Sequence, residues 1–283
     1  MCRHLAYLGE PVSLGRVLSD PEHSLVRQSW EPRRQRSGTV NADGFGVGWY
    51  AEEDPVPARY RRAGPIWGDL TFSDLARVVR SGAVLAAVRD ATRPGADGEA
   101  AAAPFAEGHW LFSHNGSLRD WPDAAGPVAA GLPPRELLSL AARTDSALIW
   151  ALVLHRLRAD PDLGAALAGT VRELAEAAPG SRLNLLLTDG RAIAATAWGD
   201  SLWYLADAAA RRTVVASEPY DDDARWCEVP DRTLLTATRT RIDLVSLKEP
   251  PTGPSDASHA RHAHHSLDAP QAHHAPQQGD EGK

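Results

Sequence analysis

A cysteine directly after the initiator methionine, Cys2 behind Met1, joins two reactive groups in one residue once the methionine is removed. Cysteine is small enough to permit that removal. An α-amino group titrates near ~8 and an unperturbed thiol near ~8.5, so the amine can take the thiol proton and return it to a departing amine. By position alone Cys2 is more simply a strand residue, and the chemistry needs support elsewhere. Phe112-Ser113-His114-Asn115-Gly116-Ser117 offers it. An apolar strand ends there in a side-chain amide beside a backbone N–H, two donors suited to an oxyanion, each contributing ~3 to 4 kcal/mol to transition-state stabilisation. The same Asn-Gly pair is equally the commonest signal of a type I′ hairpin turn, and that reading stays open. Asn115-Gly116-Ser117 also matches a glycosylation sequon, which would require secretion.

Arg89 closes an apolar run and is followed by Asp90-Ala91-Thr92, placing a guanidinium and a hydroxyl at a strand end, where a substrate carboxylate would pair. Asp145 opens an apolar helix, where it would serve either as an ammonium contact or as an ordinary N-cap. Asn41 to Tyr50 is glycine-rich, but it has neither the helix-opening pattern of a dinucleotide site nor the lysine of a P-loop. His4, His109 and His114 lack zinc-protease spacing, and with only two cysteines, Cys2 and Cys227, there is no Cys-rich zinc pattern and no disulfide framework. Cys227 reads as a structural thiol. No metal and no cofactor is expected.

The elements that must position these groups follow from periodicity. Cys2–Leu8, Gly44–Tyr50, Ala83–Val88 and Trp110–Ser113 read as strands, the second with glycines that admit a close backbone or ligand. Helical spacing marks Thr71–Arg80, Ser146–Arg158 and Leu163–Ala177. Leu183–Leu187, Ala192–Ala197, Leu202–Leu205 and Thr213–Ala216 then form a run of hairpin-like strands. Strands, helices and strands again predict layered mixed sheet and helix rather than a parallel βαβ wind.

With 283 residues and 43% hydrophobic content the chain can bury a full core. Thirty basic against thirty-seven acidic residues, a net charge of −7, argue against a nucleic-acid partner. Neither a signal peptide nor a membrane span is legible, so a soluble cytoplasmic protein without membrane attachment is expected. Residues 2–247 read as one domain. Residues 248–283 turn to Pro, Gly, Gln, Asp and His and are expected to be a disordered tail, whose histidines would bind metal only weakly.

Taken in order, Met1-Cys2-Arg3-His4, Asn41-Ala42-Asp43-Gly44-Phe45-Gly46, Arg89-Asp90-Ala91-Thr92, His114-Asn115-Gly116 and Thr144-Asp145-Ser146 resemble the class II glutamine amidotransferases. That resemblance implies an α+β fold, the four-layer αββα sandwich of N-terminal nucleophile hydrolases. It also implies Cys2 as nucleophile, Asn115 and Gly116 as oxyanion hole, Arg89 and Thr92 as carboxylate contacts, Asp145 as ammonium contact, and His114 as a further substrate-binding residue. The opening Cys-Arg-His, Ser113 to Gly116, Ala195 to Asp200 and Ala216 to Asp223 are more closely similar to the amidohydrolase family of actinobacterial ergothioneine biosynthesis. This implies hydrolysis of γ-glutamyl-hercynylcysteine sulfoxide to glutamate and hercynylcysteine sulfoxide, a bulky zwitterionic leaving portion on which Trp or Tyr could stack. Two departures from the transferase glutaminases, Arg93-Pro94 after the threonine and Ala147 after Asp-Ser, favour a substrate other than glutamine. A glutaminase subunit supplying ammonia to a partner synthase is the alternative, and a non-catalytic γ-glutamyl binder a distant third. Oligomeric state is not legible, and a homo-oligomer stays open.

Overall fold

The computed structural model describes residues 2–35, 38, 40–91 and 98–248. Thr92 and the expected tail beyond Lys248 lie outside them. The strands are β1 (Arg3–Ser13), β2 (Phe45–Ala51), β3 (Asp54–Arg62), β4 (Arg80–Val88), β5 (Phe105–Glu107), β6 (Trp110–Ser117), β7 (Arg182–Thr188), β8 (Ile193–Ala197), β9 (Trp203–Asp207), β10 (Arg212–Ala216), β11 (Cys227–Glu228), β12 (Thr233–Ala237) and β13 (Ile242–Ser246). The α-helices are α1 (Leu14–Leu18), α2 (Leu25–Gln28), α3 (Leu70–Val78), α4 (Gly126–Ala129), α5 (Pro134–Leu138), α6 (Asp145–Ala159) and α7 (Leu163–Ala177).

Two antiparallel sheets form, one of seven strands in the order β11-β9-β10-β1-β4-β2-β3 and one of six in the order β13-β12-β8-β7-β6-β5. Side-chain alternation along each strand sorts the core into three apolar layers. Along β1, Leu5 and Tyr7 face α1, α2 and α3, whereas Ala6 and Leu8 face the second sheet. Along β6, Phe112 faces α6, where it stacks on Trp150 at 5.1 Å, whereas Leu111 faces the first sheet. Helix, sheet, sheet and helix are thereby stacked, the αββα sandwich that the resemblance implies.

The helices begin where a side chain can accept an exposed backbone N–H. Asp162 caps α7 through Ala165 N, and Thr144 caps α6 through Ala147 N. The N-cap alternative for Asp145 is therefore corrected: Asp145 is the first helical residue and its carboxylate is used differently. The helix expected over Thr71–Arg80 stops at Val78, because Arg80 already pairs with Ser13 in the β1–β4 ladder. Asn115-Gly116 is no hairpin turn; both residues pair with Asn184 and Leu183 of β7 inside the ladder. The glycines of β2 admit protein rather than ligand: a Cβ on Gly46 would collide with Ala103 O, and one on Gly48 with Leu111. Cys227, read as a structural thiol, is exposed on the edge strand β11. No helix among the described residues is long and apolar enough to cross a membrane.

Candidate active site

The start of β1, central in the seven-stranded sheet, meets the end of β6, second from the edge of the six-stranded sheet. Cys2 precedes Arg3, and Arg3 pairs with Val88, so the thiol sits beside the end of β4 and the Arg89 that follows it. By alternation Cys2 and His4 face the second sheet with Ala6, while Ser113 and Asn115 face the first sheet with Leu111. A His4 Nδ1 to Ser113 Oγ contact of 3.2 Å joins the two strands just behind Cys2.

A cavity of about 360 Å³ opens here, lined by Cys2, Arg89, His114, Gly116 and Asp145 among others. It is large enough for a small ligand. Five of the seven residues expected to act thus meet in one place. Asn115 is fully buried behind the lining, with Oδ1 lacking a hydrogen-bond partner among the described residues.

Each lining group is held by a specific contact. Asp43 fixes the Arg89 segment: Asp43 O accepts from Arg89 Nη1 at 3.1 Å and Asp43 Oδ2 from Ala91 N at 2.8 Å. Asp145 Oδ2 accepts Leu118 N at 2.9 Å, and Oδ1 accepts Ser146 N at 2.8 Å and Ser146 Oγ at 3.4 Å, which leaves a lone pair on Oδ2 for a ligand. His114 Nε2 donates to Arg182 O at 3.0 Å and Nδ1 meets Ser146 Oγ at 3.0 Å, so both ring nitrogens tie β6 to β7 and α6. Gly116 has φ +155°, and a Cβ there would overlap Arg182 O and lie 2.8 Å from His114 Nε2. Only glycine fits.

Burial pushes the Cys2 thiol up, against the pull of an Asp90 backbone hydrogen bond and the Arg89 charge. A thiol favoured in its neutral form needs a base before it can react, and a free α-amino group on the same residue would supply one. His4 is pushed down to about 3, chiefly by burial and further by His114 and Arg3, so it stays neutral in the working range. In the unfolded chain its pKa returns to about 6.5. Between those values the unfolded state binds a proton that folded His4 refuses, so stability falls as pH drops from about 6.5 toward 3, by up to ~1.4 kcal/mol per unit. Urea midpoints taken from pH 7 to 4 are expected to decline less steeply in His4→Asn than in the parent protein. Parallel declines would disprove a contribution from His4.

The pocket also holds residues that spacing could not reveal. Phe105, Asp120, Trp121 and Arg143 also line it, brought in by β5 and by the segments before α4 and α6. Phe105, Asp120 and Trp121 belong to no motif or interpretable period, while Arg143 directly precedes Thr144-Asp145-Ser146. Behind β1, Arg3 and Glu218 form a buried ion pair at 3.4 Å, each about 1% exposed. Glu218 also accepts Arg33 N at 3.0 Å and Arg34 N at 2.7 Å, tying that loop to β1.

An αββα sandwich with a thiol at the start of a central strand, beside a glycine N–H and a carboxylate-and-guanidinium pair, is the architecture of an N-terminal nucleophile hydrolase. Residues 19–209 match the family of class-II glutamine amidotransferases, and the chain belongs to that family. It is 40% identical over 248 residues to the γ-glutamyl-hercynylcysteine sulfoxide hydrolase of Mycobacterium tuberculosis, covering 87% of this chain and 97% of that protein. Against the hydrolase of the same name from Mycolicibacterium smegmatis it is 43% identical, covering 87% of this chain and all of the other. Among solved structures, a class-II glutamine amidotransferase domain protein from Silicibacter pomeroyi superposes with a TM-score of 0.63 at 26% identity, over 88% of this chain and 100% of that one. The phosphoribosylpyrophosphate amidotransferase of B. subtilis shares the fold at a TM-score of 0.58 and 14% identity, over 88% of this chain and 50% of that one.

Proposed function

We propose that the protein hydrolyses the γ-glutamyl amide bond of γ-glutamyl-hercynylcysteine sulfoxide, releasing glutamate and hercynylcysteine sulfoxide in the cytoplasm. The observation that carries this reading is one cavity lined by Cys2 together with Arg89 and Asp145, in a chain 40–43% identical to hydrolases named for that substrate. Arg89 takes the α-carboxylate of the glutamyl group and Asp145 its α-ammonium, a pair that orients the γ-carbonyl toward Cys2. Removal of Met1 frees the Cys2 amine, which accepts the thiol proton as sulfur adds to the carbonyl. Asn115 and the Gly116 N–H carry the oxyanion. Collapse breaks the C–N bond, the Cys2 ammonium protonates the leaving amine, and a γ-glutamyl thioester remains. The amine then deprotonates water, which adds to the thioester and expels the Cys2 thiol with glutamate. Thr92 is assigned to the carboxylate contact with Arg89, and His114 holds the strand that carries both oxyanion donors.

The cavity wall fits the trimethylammonium of a bulky zwitterionic leaving portion, since Trp121 and Phe105 line it together with Asp120. Trp121→Ala is expected to lower kcat/KM on the sulfoxide about tenfold through KM, while turnover of glutamine, whose leaving group is ammonia, changes less than about twofold. Equal losses on both substrates would remove Trp121 from leaving-group recognition.

The assay that tests the function follows glutamate release by mass spectrometry from the sulfoxide and from glutamine in parallel. Release from the sulfoxide, with glutamine a poor substrate, is the expected result. Turnover of glutamine alone would overturn it in favour of an ammonia-supplying glutaminase.

A further inference from the structure

Two segments that the proposed reaction leaves without a task, Ala195 to Asp200 and Ala216 to Asp223, converge behind Asn115. Asn184, opposite Asn115 in the β6–β7 register, donates Nδ2 to Asp200 O at 3.0 Å and Ser201 O at 3.1 Å, and accepts Trp198 N on Oδ1 at 2.8 Å. The Ser201 hydroxyl donates to Ser217 O at 2.9 Å. Ser217 is clamped to the nucleophile strand in both directions: its N–H donates to His4 O at 3.0 Å, and its Oγ accepts His4 N–H at 3.0 Å. That same Oγ lies 3.4 Å from the Asn115 amide. Asn115, Asn184 and Ser217 are all fully buried.

Donor counting decides which end of the amide faces Ser217. With Nδ2 toward Ser217, the hydroxyl accepts twice and its own proton goes unused, while the buried Asn115 Oδ1 has no partner among the described residues. Turning the amide by half a revolution lets the Ser217 O–H donate to Oδ1 and swings Nδ2 into the unfilled position. A buried donor without a protein partner there is accounted for if the partner is the substrate oxyanion. We propose that Ser217 is the positioning residue of the oxyanion hole: pinned by His4 N–H, its hydroxyl holds Asn115 Oδ1 and presents Nδ2 to the γ-carbonyl oxygen. The Asn184 and Ser201 contacts brace it, so the two segments form a support running from β7 through β10 and β1 to β6. A chain of donors of this kind also polarises the amide.

This assignment rests on the hydrolase reading, and the test separates the two. Full-length protein that releases no glutamate, or whose Cys2→Ala variant releases it undiminished, would overturn the reading itself. With those controls in place, Ser217→Ala is expected to lower kcat about tenfold or more, with KM held within about twofold and the melting transition still cooperative. Ser217→Thr keeps the hydroxyl and is expected to recover most of the rate. In the Ser217→Ala/Asn115→Ala double variant kcat is expected to equal that of Asn115→Ala alone, because Ser217 acts only through that amide. Multiplied losses in the double variant, or an unchanged kcat in Ser217→Ala, would overturn the proposal. The cycle decides even if the threonine variant does not fold.

Discussion

Cys2→Ala is expected to reduce kcat on the γ-glutamyl substrate by roughly 10⁴-fold or more, leaving the residual acceleration that binding and oxyanion donors supply when a nucleophile is removed. The size follows from the double duty of the residue. Alanine keeps the α-amine but removes the sulfur, so no thioester forms, and the amine has no thiol to activate. Arg89 and Asp145 are untouched, so affinity for the glutamyl group survives and the loss falls on kcat rather than KM. Alanine at Cys2 removes one sulfur from the cavity wall, outside the apolar core clusters, and leaves melting close to that of the parent. Mass spectrometry of quenched enzyme provides the complement: the parent protein gains one glutamyl group during turnover and the variant does not. A variant with full turnover would end the covalent scheme. The same scheme predicts that a chain engineered to retain Met1, with Cys2 intact, fails almost as badly, because the thiol that burial holds neutral then has no adjacent amine to take its proton.

Gly116→Ala should be the next most damaging change. Any Cβ at φ +155° overlaps the Arg182 carbonyl across the ladder and crowds His114 Nε2, whose bond to that carbonyl helps hold β6 on β7. The strand must shift to admit it, carrying the Gly116 N–H off the line of the developing oxyanion. Losing one such donor costs about 10²- to 10³-fold in kcat. Strain adds about 1 to 3 kcal/mol of destabilisation. Kinetics with parallel melting and glutamate-binding calorimetry would tell the two contributions apart. The expected pattern is a large fall in kcat, a lowered melting temperature, and product affinity within a few-fold of the parent. An unimpaired kcat would mean that the Gly116 N–H is not an oxyanion donor.

What the chain specifies without its tertiary contacts is local. The predicted Leu163–Ala177 coincides with α7, and Ser146–Arg158 falls within one residue of α6 at either end, because long apolar stripes at a 3.6-residue period have no competing interpretation. Leu183–Leu187 and Thr213–Ala216 were equally plain as short, dense apolar strands. The edge strands β3 and β11 were not, being largely exposed and rich in charged or small residues, and β13, though it carries Ile242, Leu244 and Val245, is a five-residue exposed edge too short to establish a period. The four strands from β7 to β10 read as one run of hairpins, yet the first two belong to one sheet and the last two to the other. Which sheet a strand joins is decided by long-range pairing, not by its own pattern.

The same division holds for the site. The identities and order of Cys2, Arg89, Asn115, Gly116 and Asp145 are carried by the chain itself, and they were enough to imply the family and its chemistry. Tertiary structure alone decided that Asn115-Gly116 lies within a ladder and not in a turn, since an Asn-Gly pair satisfies either until β7 supplies the partner. It alone assigned the cap of α6 to Thr144, freeing the Asp145 carboxylate to hold Leu118 N and face the cavity. It alone brought Trp121 and Arg143 to the cavity that Cys2 lines, and Ser217 to Asn115. A side chain's chemistry is written in its type. Its neighbours are set by the pairing of β1 with β4 and β10, of β6 with β7, and by the closure of one sheet on the other, all contacts between residues far apart in the chain.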